Sequence, residues 1–318
     1  MGTMILKVLS LRDEADGIRA FELADPAGGE LPAFTAGDHI DVHTGTGLVR
    51  QYSLCNGPLD RRAYVIAVKR EPMSRGGSHW MHDHLRQGDL VTIGGPRNSF
   101  PLEGDAESAL LIGAGIGLTP VLSMARTLAH TGRTYTLHCF SRSAAHTPFR
   151  EELSAADKGG QIFLHEGLEI DRQKSLLRDI LAEPGKRALY MCGPMPFMEQ
   201  VEQIAALAGW PTGSIRSENF GAAETAKCGD RHIEVVLASS GRTIIVPADS
   251  SIARTLIEAG VNIEVSCEQG LCGSCLTRVL EGTPEHRDTF LTEAEKADGT
   301  LILPCVSRAR TESLVLDR

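Results

Sequence analysis

Cys267, Cys272, Cys275 and Cys305 stand as C-x4-C-x2-C followed by a long gap to a fourth cysteine. That is the plant-type iron–sulfur spacing, in which four thiolates hold a [2Fe–2S] cluster. Small residues between the ligands fit this use. Gly270, Gly273 and Ser274 let a tight loop turn its backbone N–H groups toward the sulfides, and Glu268 and Gln269 flank them. Two other uses of four cysteines fit less well. Zinc knots usually pair two short C-x2–4-C clips, whereas this chain has one clip and an extra Cys five residues upstream. Two disulfides would need an oxidising compartment. A cluster of this kind carries one electron at a time and no organic chemistry. The rest of the chain must therefore supply electrons and a destination for them.

At 318 residues the chain exceeds one typical core, and two or three domains are expected. The composition is that of an ordinary globular protein. A net charge of −9 and a pI near 5.7 argue against nucleic acid or an anionic membrane as partner. No run of 18 apolar residues is present, so no membrane-spanning helix is expected. The first residues, MGTMILKVLSLRDEADG, lack the basic start, apolar stretch and cleavage site of a signal peptide. Leu6 stands where a myristoylation start needs Ser or Thr. Cys55, Cys139, Cys192 and Cys228 are scattered, as reduced cytosolic thiols are. The expectation is a cytoplasmic monomer.

From Met4 to Leu102, short alternating runs such as Leu6–Leu9, His39–His43, Tyr64–Val68 and Leu90–Ile93 are broken by turn residues. They predict an antiparallel barrel or sandwich, interrupted by one helix near Ser78–Leu85. Near Ala109 the pattern changes. Ala109–Ile112 reads as a strand buried on both faces, followed by a glycine-rich turn and a helix over Pro120–Ala129. Strands at Thr136–Phe140, Gln161–Leu164 and Ala188–Met191 alternate with helices at Phe149–Ala155, Leu176–Leu181 and Met195–Leu207, which predicts a parallel α/β domain. Small polar residues from Ala222 to Lys227 read as a linker. A hairpin over His232–Leu237 and Thr243–Val246, then a helix over Ser251–Ala259, precede the cysteines. The expected boundaries are 1–103, 104–222, a linker at 223–230, and 231–318.

Several segments suit a dinucleotide and a second phosphorylated cofactor. Gly113, Gly115 and Gly117 follow a strand and lead through Thr119 and Pro120 into a helix, so backbone can approach a pyrophosphate. The spacing is G-x-G-x-G rather than G-x-G-x-x-G, and a simple glycine turn is the plain alternative. Cys192-Gly193-Pro194 follows the strand ending at Met191, at the sheet edge where ligands bind. Arg50-Gln51-Tyr52-Ser53-Leu54 offers a guanidinium for phosphate, an aromatic for ring contact, and a hydroxyl for a heterocycle edge. Arg75-Gly76-Gly77-Ser78 opens the short helix and can form a second phosphate cradle. Each has a bland reading: a surface charge, a core tyrosine, a buried small thiol. Together and in this order they are hard to obtain by chance.

With these motifs the chain resembles the phthalate dioxygenase reductase family, which includes vanillate O-demethylase reductases, within the ferredoxin–NADP reductase-like flavoproteins. The resemblance spans nearly the whole chain. It implies an antiparallel β-barrel flavin domain, a parallel-sheet nucleotide domain and a C-terminal β-grasp ferredoxin domain. It also implies FMN rather than FAD. The family's R-x-Y-S-L lies on Arg50, Tyr52, Ser53 and Leu54, beside Gln51. Its G-G-S loop lies on Gly76, Gly77 and Ser78, with Ala67, Val68 and Lys69 on the preceding strand. Its G-x-G-I-G-x-T-P lies on Gly113 to Pro120, and its C-G-P on Cys192, Gly193 and Pro194. The aromatic that covers the flavin corresponds to Phe220.

The implied reaction passes a hydride from bound NAD(P)H to the flavin, then single electrons to the cluster and on to a Rieske-type oxygenase. Ser53 and Cys192 flank the reacting edge in this scheme. Ser141 and Arg142 follow the second strand of the nucleotide domain. An acid often sits there for the ribose diol, while Arg142 can meet a 2′-phosphate; one cation does not enclose a phosphate, and NADH is favoured over NADPH. His79, His82 and His84 invite a metal reading, but the neighbouring phosphate loop accounts for the segment. A stand-alone NAD(P)H:acceptor reductase would not need the four cysteines. A non-catalytic redox sensor would not need both a flavin cradle and a nucleotide domain. From Arg231 to Arg318, nine Lys and Arg against thirteen Asp and Glu give a balance of −4, which suits docking on a basic patch of the partner.

Overall fold

The computed structural model describes residues 2–72, 74, 76–103, 107–155, 160–220, 229–265, 268, 270, 273–288 and 290–318. The chain forms two compact units, Met1–Phe220 and Gly221–Arg318. The expected linker lies outside the described residues up to Cys228.

The first unit begins with a seven-stranded antiparallel sheet. Its strands are β1 (Thr3–Ala15), β2 (Ile18–Ala24), β3 (Asp38–His43), β4 (Val49–Ser53), β5 (Tyr64–Lys69), β6 (Leu90–Gly94) and β7 (Arg97–Asn98). Their order is β4-β3-β6-β1-β2-β5, with β7 on β3. An antiparallel bridge between Leu54 and Ile66 joins the two ends of this order and closes the barrel. Alternation puts Leu6, Val8, Phe21, Leu23, Ile40, Val42, Ile66, Val91 and Ile93 inside. β1 runs well beyond the Leu6–Leu9 signal because it serves two partners in turn, β6 through Lys7 and β2 from there to Ala15. The short helix α1 (Gly77–Asp83) interrupts the strands as expected.

A five-stranded sheet follows, of β8 (Ser108–Ala114), β9 (Thr134–Ser141), β10 (Gln161–Glu166), β11 (Arg187–Cys192) and β12 (Ile215–Glu218). All its pairings are parallel, in the order β10-β9-β8-β11-β12. Helices α2 (Leu118–His130), α3 (Arg150–Ala155), α4 (Ile170–Leu181) and α5 (Met195–Leu207) lie between the strands in sequence. The fully buried Ala109–Ile112 explains the unbroken apolar run in β8. α2 begins two residues earlier than the sequence reading, after a 3-10 turn at Gly115–Gly117. Pro120 thus falls in the first helical turn, where its missing N–H costs no hydrogen bond.

The barrel and this sheet share one core, in which Ala20, Ala67 and Phe100 pack with Leu118, Val121 and Tyr190. α2 is also latched to the barrel by hydrogen bonds. Ser123 Oγ donates to Asn56 O at 2.9 Å. Arg126 donates to Cys55 O and forks onto Glu152 at 2.7 and 2.6 Å.

The second unit has β13 (Ile233–Leu237), β14 (Thr243–Val246), β15 (Thr277–Glu281), β16 (Pro284–Glu285), β17 (Leu301–Ile302), β18 (Arg308–Ala309) and β19 (Ser313–Leu316). Its mixed sheet is ordered β14-β13-β19-β15-β17, and β16 pairs with β18. β13 and β14 form the predicted antiparallel hairpin, and β13 lies parallel to β19. Helix α6 (Ile252–Glu258), capped by Ser251, buries Ile252, Ala253 and Leu256 on this sheet in a β-grasp arrangement. A further helix, α7 (Glu293–Asp298), opens with a Thr292/Glu295 capping box that sequence reading passed over.

Candidate functional site

Two segments expected to hold phosphate meet at the barrel. β4 carries Arg50, Gln51, Tyr52 and Ser53. A Cβ at Gly77 would fall 2.8 Å from Arg50 Cγ and 3.0 Å from its Nε, so the arginine stem lies across the start of α1. Gly76 takes φ +105°, a left-handed conformation that glycine adopts without strain. Ser78 is buried, and its hydroxyl accepts from Glu71 N at 3.1 Å. A glycine-floored turn under a guanidinium fits a phosphate monoester. Arg75 lies outside the described residues.

The neighbouring candidates divide by what remains available to a ligand. Tyr52 is half-buried, and burial pushes its phenol up to about 12, so it stays protonated. Gln51 Nε2 donates to Asp41 Oδ1 at 3.1 Å and sits 3.1 Å from His39 Nε2, while Arg97 pairs with Asp41 at 2.6 Å. Leu54, Ala67 and Val68 are buried, so their side chains serve the cores. Lys69 pairs with Glu71 at 2.5 Å. The histidines are used locally: His79 Nε2 meets Glu71 O and His82 Nε2 meets Val68 O, both at 2.8 Å, and His84 stacks on Trp80.

In the parallel sheet, chain order reverses between β8 and β11. A crevice opens at the strand C-termini there, and ligands of open α/β sheets bind in it. Both glycine motifs end at this point, because Gly113 and Cys192 are paired in register. A Cβ on Gly117 would lie 2.4 Å from Cys192 O and 2.6 Å from Gly193 N. A Cβ on Gly193 would lie 2.8 Å from Ala114 Cβ. The first turn thus packs through Gly117 on the Cys192–Gly193 peptide, and the second packs through Gly193 on the Ala114 methyl. Gly115, at φ +55° with nothing within 4 Å of its Cβ position, borders open space. Thr119 is buried and its hydroxyl donates to Ile116 O at 3.0 Å.

A residue absent from the sequence candidates completes the crevice. Glu218 ends β12 in register with Cys192. Ser53 Oγ donates to Glu218 Oε2 at 3.3 Å, across 165 residues of sequence. Burial pushes the Glu218 carboxyl up to about 8, against the opposing effect of the Ser53 bond. Cys192 is buried, and its thiol is pushed well above its ordinary range, first by burial and then by the Glu218 charge. Ser53, Cys192 and Glu218 therefore form a neutral polar cluster at pH 7. Phe220 lies two residues beyond Glu218 and is 38% exposed.

Ser141 and Arg142 stand at the C-terminal end of β9, with Arg142 exposed. Ser141 pairs in register with Glu166 at the end of β10. Glu166 accepts from Arg150 Nε at 2.8 Å and from Thr147 Oγ1 at 2.9 Å, which hold its carboxyl below the usual range. An acid is thus present at the sheet edge, one strand over from where sequence reading looked for it.

In the second unit, Cys275 and Cys305 are buried and in one core with Leu303 and Val306. Cys267 and Cys272 lie outside the described residues. The intervening glycines are fixed twice over. Gly270 and Gly273 take φ +73° and +74°. A Cβ on Gly270 would strike Val306 at 2.6 Å and Asp288 Cα at 2.9 Å, and one on Gly273 would strike the Phe290 ring at 2.3 Å. Buried soft thiols beside a loop of tightly packed left-handed glycines suit an iron–sulfur cluster.

Comparison with known proteins agrees with this geometry. Residues 235–310 match the 2Fe-2S iron-sulfur cluster binding domain. Vanillate O-demethylase oxidoreductase of Pseudomonas putida is 44% identical over 315 residues, covering 98% of each chain. Phthalate dioxygenase reductase of Burkholderia cepacia is 40% identical over 319 residues, covering 99% of this chain and 98% of that one. A solved structure of phthalate dioxygenase reductase, described as modular for electron transfer from pyridine nucleotides to [2Fe–2S], matches with a TM-score of 0.75 at 39% identity. It covers 100% of this chain and 98% of that one.

Proposed function

The chain belongs to the phthalate dioxygenase reductase family, and from that premise we propose that it carries electrons from NADH through FMN and a [2Fe–2S] cluster to the terminal component of a Rieske-type oxygenase system. It is an oxidoreductase, and its relatives are named for oxygenase systems. The observation that carries the reading is the convergence of Ser53, Cys192 and Glu218 at the switch point between β8 and β11. It lies on the same unit as the Arg50–Gly77 cradle, while the thiols occupy a separate core.

Bound FMN supplies the change from a two-electron hydride to single electrons, and the cluster carries them singly. The protein's residues bind and orient. Arg50 and Gly76–Gly77 receive the flavin phosphate. Gly113–Gly117 and the start of α2 receive the pyrophosphate, with the close contact of Gly117 and Gly193 setting the depth of the crevice. Ser53 and the neutral Cys192 thiol line the edge where nicotinamide and flavin meet. Glu218 orients the Ser53 hydroxyl without adding a full charge at pH 7. Phe220, next to this cluster in sequence, covers the flavin face. Glu166 supports NADH, since a carboxylate at a strand end suits ribose hydroxyls and repels a 2′-phosphate. The cluster is held by Cys267, Cys272, Cys275 and Cys305. Free, buried Cys55, Cys139 and Cys192 support a reducing compartment, the cytoplasm. Among the described residues no helix is long and apolar enough to cross a membrane.

The test is the cofactor content and the order of reduction. The purified protein should hold one FMN and one [2Fe–2S] cluster per chain, and NADH should bleach the flavin before the cluster. Finding FAD, or zinc in place of iron, would overturn the cofactor assignment.

A further inference from the structure

The linker expected from the sequence ends at Asp230, and there the chain is held. Asp230 receives both arms of Arg287, Nη1 to Oδ2 at 2.8 Å and Nη2 to Oδ1 at 2.5 Å. Arg287 Nε donates to Glu285 Oε1 at 3.0 Å. The Arg287 and Asp230 side chains are 6% and 10% exposed. The next residue is held as well. Arg231 O accepts from Arg308 Nη2 at 2.7 Å, and Arg231 Nη2 donates to Arg310 O at 2.8 Å. Arg308 is itself buried and also donates to Pro247 O at 3.2 Å and Ser250 O at 2.6 Å. The last residue of the expected linker is therefore not a free tether but part of a buried network.

The network leads to the cysteines. Arg287 N donates to Ser307 Oγ at 3.1 Å, and Ser307 lies two residues beyond Cys305. Ser307 Oγ donates to Asp288 Oδ1 at 3.2 Å. The Asp288 backbone packs against Gly270, which stands between Cys267 and Cys272 in sequence. The path from Asp230 through Arg287 thus reaches both cluster-bearing segments in a few bonds. A buried ion pair is a poor source of stability, because desolvation offsets most of its attraction. Its attested use is to specify one arrangement among several. The arrangement specified here is the position at which the connecting chain joins the cluster site.

We propose that the Arg287–Asp230 clamp is a positioning device for electron transfer, fixing the cluster relative to the chain that tethers it to the flavin unit. The proposal rests on the function given above. When both groups are bound, the flavin would supply one electron at a time and the cluster would accept it, so the exchange would need no other reductant. Arg287 and Asp230 touch neither cofactor and act through the backbone they hold.

The test uses full-length protein and Asp230→Asn, which keeps shape and removes charge. Iron content and the electron paramagnetic resonance spectrum of the dithionite-reduced cluster should match wild type, as should the rate of flavin reduction by NADH. The flavin-to-cluster rate, per loaded cluster, should fall about tenfold, within the range that misplacement costs. Asp230→Glu should restore part of it. In the cofactor-free protein, trypsin should cut after Lys227 faster in Asp230→Asn than in wild type. Should Asp230→Asn fail to load iron, Arg287→Lys, which keeps the charge but loses the fork, serves in its place. An unchanged flavin-to-cluster rate per loaded cluster would overturn the proposal, even with faster proteolysis or lower melting temperature, because a purely structural pair predicts that result. A wild-type protein whose flavin is not reduced by NADH would instead overturn the underlying function.

Discussion

Glu218→Gln should remove a pH-dependent weakness from the first unit. The Glu218 carboxyl is pushed from its ordinary 4.5 to about 8 in the folded protein, chiefly by burial. The folded chain then keeps a proton that the unfolded chain has released. The contribution of this group to stability is whole below about 4.5, falls as pH rises, and levels off above about 8. Each pH unit in that window is worth about 1.4 kcal/mol, so the two units between pH 6 and 8 set a ceiling of about 3 kcal/mol. The carboxyl is enclosed, but Glu218 as a residue is half-buried at the edge of its unit, and allowing for solvent screening reduces the expected change to about 1–2 kcal/mol. Both tryptophans, Trp80 and Trp210, lie in the first unit, so urea unfolding followed by intrinsic fluorescence reads that unit. The stability advantage of Glu218→Gln over wild type should grow by about 1–2 kcal/mol from pH 6 to pH 9. Parallel pH curves for the two proteins would refute the reasoning, because they would mean that Glu218 already ionises in the folded state as it does in the unfolded chain.

Other substitutions separate the parts of the electron path. Gly117→Ala places a methyl 2.4 Å from Cys192 O and should cost about 1–3 kcal/mol with a loss of flavin reduction by NADH. Gly115→Ala meets no neighbour within 4 Å and should cost about 1 kcal/mol from its left-handed backbone alone, and chemical denaturation of the pair decides whether contact or conformation governs the turn. Cys275→Ser should abolish electron delivery to cytochrome c while leaving flavin bleaching by NADH intact in stopped flow; loss of both would mean that the two units are not functionally separable. Reduction of the cognate oxygenase should slow as salt rises, since the Debye length is about 10 Å at 0.1 M, and a rate that is flat or rises with salt would refute acidic docking.

The features legible in the sequence are those whose cause is local. The cysteine spacing is local, and the 2Fe-2S domain it suggested is the one that residues 235–310 match; of the four proposed ligands, Cys275 and Cys305 lie among the described residues. The apolar run of β8 reports burial on two faces, and the alternation at Leu6–Val8 of β1 and in β6 reports burial on one. Arg50 and Gly76–Gly77 could be named because each carries its chemistry in its own residues, and the fold brings them together. Glu218 had no such signal, since its partners Ser53 and Cys192 are remote and its strand has four residues. α7 was missed although its Thr292-Glu293-Ala294-Glu295 capping box is written in the sequence, because none of its residues is buried and it gives no hydrophobic period. Gly117 was read as room for a pyrophosphate, and the structure adds a second cause, the peptide after Cys192.

These glycines bear on how the crevice can change. A turn kept open only for a ligand tolerates a methyl wherever the ligand is absent. A turn pressed on another backbone does not, and Gly117, against the Cys192–Gly193 peptide, is of this second kind. The depth of the crevice is therefore set before any nucleotide arrives, by β8 and β11 being neighbours in register. Glu218 enters from the next strand, β12, and Ser53 from the barrel, which Ser123 and Arg126 latch to α2. A change in the latch should then reach the Ser53–Glu218 bond without touching it. Cys275 and Cys305 have no part in this core and sit in that of the second unit. Precision at the hydride step is thus a property of shared packing, whereas precision at the cluster depends on how the connecting chain is held where it arrives, at Asp230.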